Sequence, residues 1–312
     1  MSASFRSAVA ERAEDALSVP MQIELTSTLL GEGASGKVWL AHAKGSSCSE
    51  VAAKVCCKRG LDDDMLHWLK EEIEIHKAMR HPHVCTLHGV LEDELSITII
   101  LSLCRGGSLC DTLIACLDSG TNLRPERCHT IFLQLIGALE YLHRHGIVHR
   151  DIKLDNLCWR DREEKHLLLI DFGHASRREY HSSYAGSAHY AAPEVHRAEG
   201  NAAGTAPFSC ALADVWSAGV CLFTLLATQL PFNGEEETRA EQAALRDKVC
   251  RGVWDSEPPC DELATDLLRC MLKVDTSERS TLAEVIEHDW VGGMSAVPWQ
   301  GLDEDTWQVV AL

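Results

Sequence analysis

The chain has 312 residues, 46% hydrophobic and 24% charged, an ordinary balance for a soluble globular protein and enough length for one large domain or two lobes. Its formal net charge of −18 argues against a nucleic-acid partner and against an anionic membrane surface, because both call for a basic face. Fourteen cysteines show no Cys-x-x-Cys spacing, and the first twenty residues carry Arg6, Glu11, Arg12, Glu14 and Asp15 instead of an apolar signal core. This composition points to reduced thiols and a cytoplasmic location, with the nucleus as the alternative.

Residues 4–17 are patterned as a short amphipathic helix that Pro20 ends. Ser2 stands where N-myristoylation needs glycine. Three β-patterned runs follow, IELTSTLL, KVWLAHA and EVAAKVCC, separated by glycine-containing turns, so an antiparallel sheet is expected. Residues 61–80 have helical spacing through Leu66, Leu69, Ile73 and Met79, and SITIILSL at 96–103 is strand-like again. After Gly106-Gly107 the pattern becomes helical. Cys128, Ile131, Phe132, Leu135, Leu139 and Leu142 recur every three or four residues, and further helices are expected near 212–228, 236–250, 261–272 and 280–288. The longest apolar run, GVCLFTLLATQLPF at 219–232, is too short for a bilayer and reads as a buried core helix. Strands first and helices after make an α+β chain of two lobes with a junction near 102–107.

Four stretches carry chemistry. In LGEGASGKV, residues 30–38, Gly31, Gly33 and Gly36 fit G-x-G-x-x-G, a pattern whose backbone can approach phosphate oxygens closely. Strands lie on both sides of it, which argues against the dinucleotide fingerprint and the P-loop, since both need a following helix. Lys54 lies inside an apolar strand and needs an acid or anion partner. Glu72 in the next helix is one candidate, with Glu71 and Glu74 beside it. IVHRDIKLDNL at 147–157 sets Arg150, Asp151, Lys153, Asp155 and Asn156 at the end of a long helix, and LLLIDFG at 167–173 adds Asp171.

Together with AAPE at 191–194, DVWSAGV at 214–220 and Arg279 in DTSERST, these stretches resemble a eukaryotic Ser/Thr protein kinase over roughly residues 24–291. The resemblance implies the protein-kinase fold, with an antiparallel-sheet N-lobe holding one main helix and a mostly helical C-lobe. On that pattern residues 1–20 are an extension and 21–291 the kinase domain. The N-lobe spans about 21–104, the C-lobe about 105–291, and 292–312 form an acidic tail. It implies ATP and Mg²⁺ as cofactors and protein substrates as partners. Asp151 would accept the substrate hydroxyl proton, Lys153 would neutralise charge on the transferred group, and Asn156 and Asp171 would hold the metal. Lys54 would bond the phosphates, oriented by Glu72. Leu30, Gly31, Glu32, Gly33, Ala34, Ser35, Gly36, Lys37 and Val38 would cover the nucleotide with Ala52. Leu101 would be the gatekeeper, backbone groups of Ser102 and Cys104 would bond the adenine edge, and Cys158 would lie on the other side of the ring. Glu194, Asp214 and Arg279 would be structural.

Lys153 and Gly186-Ser187 resemble the Ser/Thr class. Leu154 and the ending TLAEVIEHDWV resemble the calcium/calmodulin-dependent and AMP-activated group. No Lys or Arg occurs from Ser280 to Leu312, so calmodulin is not expected as a partner. Arg150 before Asp151 implies control by phosphorylation of the activation loop, with Ser183 and Ser182 as candidate sites and an upstream kinase as a partner. Several positions depart from the family. Ser35 stands where an aromatic tip is common. His76 stands in an aliphatic column with Leu87, His149 and Phe172. Ala188-His189 precede the segment's Tyr, and Ser108 and Thr224 replace acids while Asp155 remains. Residues 196–213 read as an enlarged loop. The rival reading is a pseudokinase scaffold; Lys54, Asp151, Asn156 and Asp171, whose loss usually marks one, are all present. A small-molecule kinase is disfavoured by AAPE, and a zinc site by the His and Cys spacings.

Overall fold

The computed structural model describes residues 22–33, 36–44, 50–198, 206–234 and 238–293. The helix expected at 4–17, the glycine-loop residues Ala34 and Ser35, the middle of the 196–213 segment and the acidic tail lie outside the described residues. The chain divides into two compact units: residues 22–79 with 86–103, and residues 80–85 with 104–293, among those described.

The first unit is a five-stranded antiparallel sheet and one main helix. Its strands are β1 (Gln22–Gly33), β2 (Gly36–Lys44), β3 (Glu50–Cys57), β4 (Leu87–Glu92) and β5 (Ser96–Leu101), in the order β1-β2-β3-β5-β4. Alternation decides the faces. Cys56, Leu87, Ile97 and Ile99 pack with Leu69 and Ile73 of the helix α1 (Asp63–Lys77). Ala41, Ala43, Val51, Ala53 and Ile100 form a second cluster. Asp62 caps α1 by accepting from the Met65 N–H at 2.8 Å, and Asp63 and Asp64 complement the helix dipole. β4 was not legible in the sequence, because its LHGVLE run has a register shift at Gly89 and lacks a clean alternation.

The second unit is mostly helical. α2 (Leu109–Asp118), also not anticipated, is short and owes its start to a capping box. Ser108 Oγ accepts from the Asp111 N–H at 3.0 Å, and Asp111 accepts from the Ser108 N–H at 2.8 Å. α3 (Pro125–Arg144) buries the stripe expected of it, from Cys128 through Leu142. Two antiparallel hairpin pieces follow: β6 (Leu157–Trp159) with β7 (Leu167–Leu169), and β8 (Tyr180–His181) with β9 (Phe208–Ser209). Then come α4 (Pro193–Ala198), α5 (Cys210–Ala227), α6 (Arg239–Arg251), α7 (Glu262–Met271), α8 (Leu282–Glu287) and α9 (Asp289–Gly293).

Among the described residues α5 is the one helix long and apolar enough to cross a membrane, but it is the core of this unit. Val220, Cys221, Leu222 and Phe223 are fully buried, and Thr224 turns its hydroxyl back to the Val220 carbonyl at 2.8 Å. The segment 196–213, read as one loop from sequence, has regular structure at residues 196–198 and 208–213. His196 and Arg197 lie in α4, Phe208 and Ser209 in β9, and Cys210 opens α5. Residues 80–85 leave the first unit altogether. The Cys85 N–H donates to the Leu169 carbonyl at 2.9 Å and the Leu169 N–H to the His83 carbonyl at 2.9 Å, so this short stretch pairs with β7.

Candidate active site

In the second unit the chain leaves α3 through Gly146 and enters the loop 147–156. Arg150 and Asp171 hold φ of 67° and 58°, a left-handed conformation that side chains disfavour and that folded chains keep only where surroundings impose it. For Arg150 the constraint is Asp214, 1% exposed on α5. Asp214 Oδ1 accepts from the Arg150 N–H at 2.8 Å, and Oδ2 accepts from the His149 N–H at 2.9 Å and the His143 ring at 3.0 Å. Burial alone would push the Asp214 carboxyl up. The His143 ring and these N–H donors outweigh it and hold the group below the usual carboxylate range.

His149 is fully buried, and that burial pushes its ring below the ordinary imidazole value against the pull of Asp214, Asp151 and Asp171. The neutral ring has one donor and one acceptor. The Asp151 N–H donates to Nδ1 at 3.3 Å, so the proton sits on Nε2, 3.2 Å from the Ile170 carbonyl. His149 also meets Phe172 edge to face at 5.2 Å. One ring therefore ties the loop of Asp151 to the segment of Asp171.

Asp151 is 7% exposed, and three side chains meet its carboxylate. Oδ2 accepts from Asn156 Nδ2 at 2.9 Å and lies 3.0 Å from Lys153 Nζ, while Oδ1 accepts from Ser187 Oγ at 3.1 Å. Lys153 Nζ donates to Ser187 Oγ at 2.8 Å, which closes a ring of Asp151, Lys153 and Ser187. Ser187 entered the sequence argument only as a mark of kinase class. Its contact with Asp151 spans 36 residues and left no local signal.

Pairing of β6 with β7 ends at Leu157 opposite Leu169, and the Ile170 N–H donates to the Asn156 carbonyl at 2.9 Å. Asn156 and Asp171 thus emerge at the same end of one hairpin. The Asn156 amide nitrogen is held by Asp151, which leaves its oxygen as the acceptor; Asp171 is exposed. One amide oxygen and one carboxylate are hard donors that suit Mg²⁺, an ion that keeps waters and phosphate oxygens in its shell. Among the described residues no group of three His, Cys, Asp or Glu could hold a metal ion, so the pair fits Mg²⁺ shared with phosphate better than a closed protein cage.

In the first unit Lys54 lies between Val38 and Ile99 in the sheet register and is 8% exposed. Its Nζ meets Glu72 Oε1 at 2.9 Å. The three acids left open by the sequence are thereby separated. Glu72 is buried, Glu71 is exposed, and Glu74 is exposed and pairs with Lys77 at 2.8 Å. Ala52 is buried opposite Leu40 and Leu101. In the glycine strand Leu30, Gly31, Glu32 and Gly33 are exposed, and Lys37 pairs with Glu32 at 3.2 Å. Gly36 has φ of 145°, and a Cβ there would collide with the Val55 carbonyl oxygen, so glycine is required by geometry. His76 is 4% exposed within α1. The Ser102 N–H donates to the Thr86 carbonyl at 3.0 Å, and its hydroxyl lies 3.0 Å from His88.

Further positions read from sequence lie in the second unit. Cys158 is buried in β6. Glu194 and Arg279 form a buried bidentate pair at 2.6 and 2.9 Å, with Arg279 also stacked 5.0 Å from the Trp216 ring centroid. Ser182 and Ser183 are exposed, and Arg150 Nη2 reaches the Ser183 carbonyl at 3.4 Å. Burial and the charges of Arg150 and Arg178 push the nearby His181 ring down to about 4, which marks this corner as cationic. Arg178 and His181 were not singled out from the sequence. At the departures from the family pattern, His189 Nε2 lies 2.9 Å from the Gly234 carbonyl and His196 Nε2 lies 2.9 Å from the Ala188 carbonyl.

A five-stranded antiparallel sheet with one helix in the first unit, and the helices and loop of the second, are the elements of the protein-kinase class. The protein kinase domain model matches residues 25–291, and the chain belongs to that family. It is similar to the maternal embryonic leucine zipper kinase of Danio rerio, 34% identical over 307 residues, covering 91% of this chain and 42% of the relative. It is similar also to the kinases of that name from Xenopus laevis and Xenopus tropicalis, each 33% identical over 289 residues, covering 88% of this chain and 41% of theirs. The chain spans about two fifths of the length of the curated relatives it matches.

Proposed function

We propose that the chain transfers the γ-phosphate of ATP to Ser and Thr hydroxyls of protein substrates. The observation that carries this reading is the Asp151 carboxylate, buried and oriented at once by Asn156, Lys153 and Ser187. Asp151 accepts the proton of the attacking hydroxyl. Asn156 and Asp171 hold Mg²⁺, which when bound offsets the negative charge of the phosphate oxygens. Lys153 leaves Ser187 and Asp151 for the transferred group, and Lys54, oriented by Glu72, bonds the other phosphates. Backbone groups at Ser102 and Cys104 bond the adenine edge. The glycine strand covers the nucleotide; its Gly31 and Gly33 have nothing within 4 Å of an added Cβ, which leaves room for phosphate.

The presence of Lys54, Asp151, Asn156 and Asp171 disfavours a nucleotide-binding scaffold that transfers nothing. Transfer from Mg²⁺–ATP to a mixed Ser/Thr peptide library, compared with Asp151→Asn, tests the assignment. The expected loss is about 10³-fold, within the range for removing a general base. Equal and negligible transfer by both proteins would return the scaffold reading.

The exposed Ser183, with Ser182 beside it, is the proposed activating phosphosite, and an upstream kinase its partner. Arg150, Arg178 and the neighbourhood of His181 supply the cations that a phosphate there would meet. Calmodulin is not a proposed partner, since residues 280–312 contain no Lys or Arg. Added Ca²⁺–calmodulin should leave transfer by this chain unchanged. A cytoplasmic location, with the nucleus as the alternative, is proposed from the cysteine spacing, which shows no Cys-x-x-Cys.

A further inference from the structure

The phosphotransfer reading leaves a groove of the second unit without a role. It has a volume of about 570 Å³ and lies between the loop after α6 and the end of α7. Its lining is of two kinds. Val253, 66% exposed, Trp254 and the buried Leu272 are apolar, whereas Arg269 and Lys273 are cationic. The loop is pinned. Trp254 meets Phe223 of α5 edge to face at 5.3 Å, the Asp255 N–H donates to the Pro231 carbonyl at 2.9 Å, and Lys248 Nζ lies 2.9 Å from Asp255. Gly252 caps α6 with φ of 66°, and a Cβ there would collide with Val274, so glycine lets the loop lie close to the end of α7. The cations are weakly engaged. Arg269 meets Glu257 at 3.4 Å and Lys273 meets Glu278 at 3.8 Å, long pairs of exposed side chains that contribute little.

The chain's own tail has the complementary composition, and it departs from the adjoining surface. Trp290 of α9, 5% exposed, packs edge to face on His129 and Phe132 of α3 and anchors the last described helix. Just before it, His288 Nε2 lies 3.3 Å from Asp266, which stands one turn before Arg269 on α7. Beyond Gly293 no Lys or Arg occurs, and residues 302–307 read LDEDTW, with Asp303, Glu304 and Asp305 flanked by Leu302 and Trp307. The chain from Gly293 to Asp303 can span about 33 Å when extended, while Asp266 and Lys273 are about 10 Å apart along the helix axis. We propose that residues 302–307, which lie outside the described residues, occupy this groove of the same chain. Asp303, Glu304 and Asp305 meet Arg269 and Lys273, and Trp307 covers Val253 and Trp254. The acids replace exposed pairs of little worth, and the indole removes apolar surface from water. A short tether makes the docking intramolecular, at an effective concentration near the millimolar scale, so individually weak contacts suffice.

Carbodiimide cross-linking of the full chain, read by mass spectrometry of the monomer band, tests the docking, because it joins the Lys273 amine to a carboxylate in contact with it. A link from Lys273 to Asp303, Glu304 or Asp305 is expected. Raising the salt from about 0.1 M to about 1 M should lower its yield about threefold by screening. Val253→Glu, which sets a like charge beside the acids at a highly exposed position, and Trp307→Ala should each lower it by about the same factor. The link of Lys248 to Asp255, already 2.9 Å apart, should stay constant in both variants and reports an intact loop. No link from Lys273 to residues 303–305, or links from those acids to lysines outside the groove in its place, would overturn the docking. So would a link whose yield ignores both Val253→Glu and Trp307→Ala, since it would report the tether alone. A link found only in a band of twice the mass would assign the segment to a second copy and overturn the intramolecular contact.

Discussion

The two units keep charge out of water in different ways. In the first, Lys54 and Glu72 meet tip to tip at 2.9 Å, one on a strand and one on a helix. In the second, buried carboxylates clamp the backbone. Asp214 takes the N–H groups of His149 and Arg150, and Arg279, held in turn by Glu194, donates to the carbonyls of Lys273 and Leu212. A pair of flexible side chains orients one charge towards a ligand. A charge bonded to main chain fixes the course of a loop. The difference teaches which buried ions position a reacting group and which hold the frame around it.

The frame should break first and hardest. Arg279→Met leaves Glu194 buried without its bidentate partner, and breaking such a pair costs about 3–5 kcal/mol. Urea unfolding should show the midpoint falling accordingly. The double variant Arg279→Met with Glu194→Met should recover much of the loss, because an apolar pair of similar volume carries no unpaired charge. A loss under about 1 kcal/mol in the single variant would remove the pair from the frame.

Lys54→Met should behave oppositely. Transfer should fall about 100-fold, the scale for losing one preorganised cation; Glu72 is left buried and unpaired, so the urea midpoint should fall too, but less than in Arg279→Met, which also loses the bonds of Arg279 to the Lys273 and Leu212 carbonyls. An equal fall in stability would erase the contrast between the two kinds of buried ion.

The smallest effect separates the units by pH. His149, His83, His81 and His181 all lie in the second unit, and burial lowers each ring, His81 and His181 to about 4. A histidine lowered on folding binds fewer protons in the folded chain than in the unfolded one at pH values below about 6.5. Stability should therefore decline as pH falls from about 7 to 5. Asp214, lowered as a carboxylate, contributes stability above about 3.9 that is lost only below that value. Unfolding midpoints at pH 7, 6 and 5 check the sign, and a midpoint that rises towards pH 5 would contradict it. His81→Gln should flatten the slope slightly.

Much of this arrangement was legible along the chain, and the misses have physical causes. The alternation through β2, β3 and β5 and the stripe of α3 needed only period 2 and period 3.6. Glu72 was named beside Glu71 and Glu74, and the helical phase that buries it became visible only with α1 packed on the sheet. Ser108 stood out as a missing acid, whereas in the structure it starts a helix through its hydroxyl. Ser187 and His143 reach Asp151 and Asp214 across 36 and 71 residues, a distance at which no local pattern carries information. The pairing of residues 80–85 with β7 was hidden for the same reason.

By itself the sequence determined the α+β class, with strands first and helices after, because periodicity is a local property. Tertiary structure alone decided which acid meets Lys54 and which backbone is clamped by Asp214 into a left-handed turn. Those outcomes depend on distances between residues far apart in the chain, and such distances exist only once the sheet register and helix packing are set.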